Sequence, residues 1–136
     1  MDIKYILQSH GIRPSLHRMA VYKYLLEEKN HPSADLVYRE LHKSIPTLSK
    51  TTVYNTLKLF IDCGLVNELF LERGESRFDG DISVHSHFIC RDCGKVFDFF
   101  PKKDKIGDFI SGNLPKEKFT VNSFQITVSG SCGCKS

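Results

Sequence analysis

A chain of 136 residues with 40% hydrophobic and 11% aromatic content buries a core in one domain or two small ones, which excludes wholesale disorder. Its net charge of +3 is as ordinary for an enzyme as for a protein touching nucleic acid through a local patch. Residues 1–78 carry 11 basic and 9 acidic groups and the remainder 8 and 7, so gross charge does not locate a nucleic-acid-binding half. The opening segment Met1–Gly11 is amphipathic without a long apolar run, neither a signal peptide nor a membrane span. The expected location is cytoplasmic, with no membrane partner. Disulfides are rare there, so the five cysteines read as metal ligands or reduced core residues.

The first half has helical periodicity. Ile3, Ile6 and Leu7 share one face of a short helix that should stop near Gly11. Ser15 is a fitting N-cap for a second helix with Met19, Ala20, Tyr22, Leu25 and Leu26 on its apolar face. Asn30-His31-Pro32 breaks it. Ser33 caps a third helix through Leu36, Val37 and Leu41, which Ile45-Pro46 ends. Ser49 starts a fourth, with Val53, Leu57, Phe60 and Ile61 inward, until Cys63-Gly64. Leu65–Leu71 and Glu75–Phe78 then form two extended runs around Glu72-Arg73-Gly74, a predicted hairpin.

Three helices followed by a hairpin is the order of a winged helix-turn-helix. The polar stretch 79–84 reads as a hinge. Beyond it, His85–Cys90 and Lys95–Phe100 are predicted strands, Lys102–Ser111 a helix and Phe119–Val128 a third strand by its alternation. The expected architecture is α+β: a winged-helix domain over 1–78, a hinge over 79–84, and a small α/β domain over 85–136.

Two constellations carry chemistry. Cys90-Arg91-Asp92-Cys93-Gly94 is a knuckle in which two intervening residues let both thiolates reach one tetrahedral Zn²⁺, and the glycine lets backbone amides turn toward the sulfurs. Cys132 and Cys134, spaced by one residue, complete a four-sulfur set. A structural zinc would staple the chain end to this small domain. The alternative is a redox Cys-x-x-Cys in a thiol oxidoreductase, or a zinc-handling protein. A thioredoxin-type motif belongs at a strand-to-helix junction, whereas this one joins two strands. In the second constellation, strand alternation puts His85 and His87 on one face, with Asp79 before them and Asp98 on the next strand. Nitrogen and oxygen donors suit Fe²⁺ or Mn²⁺ better than a thiolate-seeking ion. No nucleophile or phosphate loop accompanies them, so the reading is against an enzyme and against a small-molecule substrate.

Taken together, His31-Pro32-Ser33-Ala34-Asp35, Ser49–Leu57 (Ser-Lys-Thr-Thr-Val-Tyr-Asn-Thr-Leu), Gly64-Leu65-Val66, Arg77-Phe78-Asp79, His85-Ser86-His87 and Cys90-x-x-Cys93-Gly94 resemble the ferric uptake regulator family over essentially the whole chain. The resemblance implies a homodimer, joined through the second domain, that binds double-stranded operator DNA when its regulatory ion is present. Within the family the chain is most similar to the peroxide-sensing branch. His31, Asp79, His85, His87 and Asp98 match that branch's regulatory Fe²⁺ or Mn²⁺ site, with His31 contributed by the first domain. Iron-uptake regulators, the rival reading, more often carry glutamate at the two aspartate positions. Their His-His-Asp-His run is reduced here to Val84-His85-Ser86-His87, and Asn122-Ser123-Phe124 stands where a late histidine is usual. The cysteine that zinc-uptake regulators place near Asp79 is missing. The peroxide-sensing analogy implies metal-assisted oxidation of His31 or His85 and release of DNA. Leu16-His17-Arg18 departs from the family's usual Pro-Gln-Arg.

For DNA, Thr51–Leu59 is the expected recognition helix, entering the major groove by its N-terminal residues. Its outward side offers Ser49, Lys50, Thr52, Tyr54, Asn55 and Lys58. Hydroxyls and lysine suit phosphate, Asn55 suits adenine, and the Tyr54 ring suits a thymine methyl. Arg13, Arg18 and the wing residue Arg73 are candidate backbone contacts.

Overall fold

A computed structural model describes residues 2–70, 75–81, 86–101, 103–115, 119 and 126–135. The chain divides into two compact units, Met1–Ile82 and Ser83–Ser136.

The first unit is built from four helices and a two-stranded sheet: α1 (Ile3–Ser9), α2 (Leu16–Glu28), α3 (Ala34–His42), α4 (Lys50–Asp62), β1 (Asn67–Leu69) and β2 (Arg77–Asp79). Each helix starts where a side-chain oxygen accepts one of the amides left without an intrahelical partner. Ser15 accepts from the Arg18 N–H, Ser33 from Leu36 and Ser49 from Thr52, as their sequence positions suggest. Asp2 does the same for Tyr5 at the start of α1, a cap the sequence reading passed over. The fourth helix ends at Gly64, whose φ of +78° a side chain would oppose. That turn lets the Leu65 N–H reach the Phe60 carbonyl at 2.9 Å.

The inward faces meet as periodicity requires. Val53, Leu57 and Phe60 of α4 belong to one buried cluster with Val21, Tyr22 and Leu25 of α2 and Val37 of α3. The Tyr22 and Phe60 rings meet edge-on with centroids 5.6 Å apart. Each such side chain contributes about 1.5–3 kcal/mol on burial, which fixes α4 firmly enough to present its other face.

The hairpin is shorter than its hydrophobic runs imply. Leu65 and Val66 are buried in the helical core, and pairing begins only at Asn67, opposite Asp79. Hydrophobicity alone did not separate core anchors from strand. Asp79, assigned by sequence to the hinge, is instead the last residue of β2 and is buried. The hairpin turn, Arg73 included, lies outside the described residues.

In the second unit β3 (Ser86–Cys90) and β4 (Val96–Phe99) are antiparallel, α5 spans Lys103–Asn113, and β5 (Thr127–Gly130) pairs parallel to β3. The strand order is β4-β3-β5. Among the described residues the last strand runs two residues past its expected end at Val128. Its register sets Gly130 beside Cys90, so that the chain runs from the sheet directly into Cys132. Residues 120–125 of the expected strand lie outside the described residues. The helix runs two residues past its expected end at Ser111, through Gly112, and Asn113 Nδ2 donates to the Phe109 carbonyl at 2.7 Å. Among the described residues no helix is long and apolar enough to cross a membrane.

Candidate metal centres and nucleic-acid interface

The cysteine cluster is assembled by the central strand and both of its neighbours. Cys90 ends β3, and the turn to β4 brings Cys93 back over it, with the Cys93 N–H 3.4 Å from Cys90 Sγ. Gly94, at φ +73°, closes that turn by donating to the Cys90 carbonyl at 2.9 Å. From the other side, the Arg91 N–H donates to Gly130 O at 2.8 Å and Ser131 Oγ to Asp92 Oδ2 at 2.8 Å, delivering Cys132 and Cys134. Asp92 also lies 3.5 Å from Lys135 Nζ. The sequence does not disclose these supports, because Asp92 fills an x position of the Cys-x-x-Cys knuckle and Ser131 lies 39 residues away.

All four sulfurs lie within 4.8 Å of one another. The pairs Cys90–Cys134 and Cys93–Cys132 stand at 3.7 Å. A disulfide requires about 2.05 Å, whereas the edge of a tetrahedron with Zn–S bonds of about 2.3 Å is about 3.8 Å. The donor set therefore fits one zinc ion, and the one-residue spacing of Cys132 and Cys134 does not prevent it. Backbone N–H groups of Cys93 and Cys132 pull the Cys90 thiol down to about 6. The hydrogen bond with Cys132, together with desolvation, pushes Cys134 up to about 12. Such a cluster holds protons that a cation displaces. The knuckle joins two antiparallel strands, the setting of a zinc knuckle and not of a strand-to-helix redox motif.

Each unit also holds a histidine–aspartate pair. In the first, His31 Nε2 lies 3.3 Å from Asp79 Oδ2, and both residues are buried. His31 adopts φ +48°, a conformation uncommon for a residue with a Cβ. Two long-range bonds hold it there: Arg77 Nη1 donates to the His31 carbonyl at 3.1 Å, and the Phe78 N–H to the Pro32 carbonyl at 2.9 Å. The Asp81 N–H donates to Asp79 Oδ1 at 2.9 Å, orienting the carboxylate. In the second unit His87 and Asp98 face each other across β3 and β4, with Nε2 and Oδ1 3.3 Å apart. His87 is fully buried and Asp98 about one-third exposed. His85 lies outside the described residues. The structure thus joins His31 to Asp79 and His87 to Asp98, and it adds Arg77, which the sequence offered only as part of a motif.

The outward side of α4 is open. Tyr54 is 52% exposed, and Lys50, Asn55 and Lys58 are also at the surface. Tyr54, Asn55 and Lys58 line a depression that continues to Asp62, Glu68 and Glu75 on the hairpin side. Three of the sequence candidates have local duties. Ser49 Oγ caps α4 and lies 2.9 Å from Thr52 Oγ1, so these hydroxyls satisfy each other. Lys50 Nζ stands 3.7 Å from Asp35 and 5.7 Å from the Tyr38 ring centre. On the opposite flank Arg13, His17 and Arg18 line a second cleft with Thr52, Asn55 and Thr56. His17 entered the sequence reading only as a departure from a pattern.

The sequence profile of the ferric uptake regulator family matches residues 9–129. A peroxide-responsive repressor, PerR, of Staphylococcus aureus (strain Mu50) is 41% identical over 101 residues, 74% of this chain and 68% of the relative. The ferric uptake regulator of Vibrio cholerae superposes with a TM-score of 0.80 at 25% identity, over 96% of this chain and 100% of that one. A ferric uptake regulator from Pseudomonas aeruginosa solved with manganese gives 0.78 at 25% identity, over 96% and 98%.

Proposed function

Because the chain belongs to the ferric uptake regulator family, we propose that it is a metal-dependent, peroxide-responsive repressor that binds operator DNA as a homodimer. The observation that carries this reading is the His31–Asp79 pair, a buried imidazole–carboxylate couple held in an unusual backbone conformation beside the helix-turn-helix. A buried couple of one imidazole and one carboxylate offers the nitrogen and oxygen donors that suit Fe²⁺ or Mn²⁺.

The regulatory ligand set is His31, Asp79, His85, His87 and Asp98, drawn from both units and suited to Fe²⁺ or Mn²⁺. Zinc on Cys90, Cys93, Cys132 and Cys134 is the structural ion. Tyr54 and Asn55 read bases, while Arg13, Arg18, Lys50, Lys58 and Arg73 hold phosphates, with Ser49 and Thr52 fixing the start of the reading helix. Homodimerisation belongs to the second unit, where Phe97, Phe100, Phe109, Phe119 and Val128 are exposed large apolar side chains. A repressor of this kind turns over no substrate and acts in the cytoplasm, where operator DNA is found.

When bound, Fe²⁺ would supply the one-electron reduction of peroxide, chemistry that Mn²⁺ would not share. The protein's own residues then decide the outcome. His31 and His85 are the proposed targets of oxidation, and a ring so oxidised would no longer donate as before. Binding coupling of about 1–3 kcal/mol between ion and operator already changes DNA affinity several- to a hundredfold.

The test is the Mn²⁺ dependence of binding to a duplex selected from a random library by the Mn²⁺-loaded protein. Asp79→Asn and Asp98→Asn should each raise the Mn²⁺ concentration needed for half-maximal binding by tenfold or more, with zinc content unchanged. Duplex binding that ignores Mn²⁺ in the wild type would end the reading.

A further inference from the structure

The two flanks of α4 differ in charge. On the hairpin side the depression is lined by Asp62, Glu68 and Glu75 against a single lysine, Lys58. On the α2 side, every ionisable residue lining the second cleft is a base: Arg13, His17 and Arg18. The remaining lining groups include Ser15, Thr52, Asn55 and Thr56, which are hydroxyl or amide side chains. Two features make this cleft a prepared one. Arg18 Nη1 donates to the Arg13 carbonyl at 3.0 Å, so one guanidinium is tied to the segment that carries the other. His17 Nε2 lies 3.2 Å from Thr47 Oγ1, which links the first turn of α2 to the turn that leads into α4.

We propose that this cleft seats a phosphodiester of the DNA backbone and that His17 is a further DNA-contacting residue, fixing how α2 and α4 together straddle the strand. The inference rests on the DNA-binding reading and adds to it a preferred side: the α2 flank carries the larger share of backbone anchoring, while Glu68 and Glu75 weaken what Lys58 contributes beside them. A cleft with two guanidinium groups, one of them tied to the backbone, an imidazole and several hydroxyls matches the charge and hydrogen-bonding capacity of a phosphodiester. Arg13, His17 and Arg18 answer to charge and not to a base edge, so their contribution is independent of sequence.

The test uses the full-length, Mn²⁺-saturated protein, a mixed-sequence 30-base-pair duplex, and the library-selected duplex, across a range of salt. One added phosphate neutralisation changes the slope of log affinity against log salt by about 0.9. Because the homodimer carries the substitution twice, His17→Lys should tighten binding to both duplexes and steepen the slope by about 1.8. His17→Glu should weaken both by tenfold or more and flatten it. Lys23→Glu, a charge reversal on the exposed middle of α2, should stay within threefold. Glu68→Gln with Glu75→Gln should tighten both. If His17→Lys and His17→Glu both match the wild type, or if Lys23→Glu is as damaging as His17→Glu, the cleft is no phosphate seat, even though the repressor reading stands. If the wild type binds neither duplex, the repressor reading itself fails.

Discussion

His31 is held in a left-handed conformation by an arginine and a proline carbonyl, and its imidazole faces a carboxylate that is itself oriented by a backbone amide. Replacing Arg77 by leucine removes the bond to the His31 carbonyl without touching a donor atom. It is expected to weaken Mn²⁺ binding severalfold, read by titration calorimetry, while zinc content stays constant. On α4, Tyr54 is exposed and makes no contribution to the core cluster. Tyr54→Ala should lower discrimination between the selected and mixed-sequence duplexes by about 1–3 kcal/mol, with the unfolding midpoint unchanged. Equal discrimination would remove Tyr54 from the reading set.

Among the elements, the helices of the first unit were the most legible. Serine caps at 15, 33 and 49 and apolar residues at helical spacing name both the start and the buried face of α2, α3 and α4. The strands were less so. Leu65 and Val66 have strand-forming character but anchor the helical core, and the parallel pairing of β5 with β3 has no local signature. The cysteine spacing disclosed the zinc candidate, whereas the Asp92–Ser131 and Arg91–Gly130 bonds that close it arise only from the fold. Two experiments belong at this scale. Ser49→Ala removes the cap of the reading helix and should cost about 1 kcal/mol of stability, measured by urea unfolding. For the sulfur cluster, Cys90 at about 6 is ionised at pH 7.5, while Cys134 at about 12 keeps its proton until a cation displaces it. Zinc binding should therefore release fewer than four protons at that pH. Affinity should rise with pH across the neutral range and collapse below about pH 6, where Cys90 takes up its proton as well. Calorimetry in buffers of differing ionisation enthalpy gives the count. A release of four, or none, contradicts it.

The molecule as a whole holds a helical unit, a sheet with a four-cysteine cluster, and a histidine–aspartate couple in each unit. In the first unit Asp79 directly follows Phe78, a member of the core cluster that also holds Val53, Leu57 and Phe60 of α4; on the proposed function, that packing would couple a bound ion to the DNA-reading face. The proposed dimer would have to hold its two reading helices about 34 Å apart to fit successive major grooves, and on that proposal the ion would set the spacing. The most direct measurement is operator affinity of the Fe²⁺-loaded and Mn²⁺-loaded proteins before and after a brief exposure to hydrogen peroxide, with the His31 and His85 peptides weighed afterwards. The account predicts that the iron form loses its operator by tenfold or more and gains one oxygen on a histidine peptide, while the manganese form keeps both unchanged. An iron form that retains full affinity with unmodified histidines would contradict it.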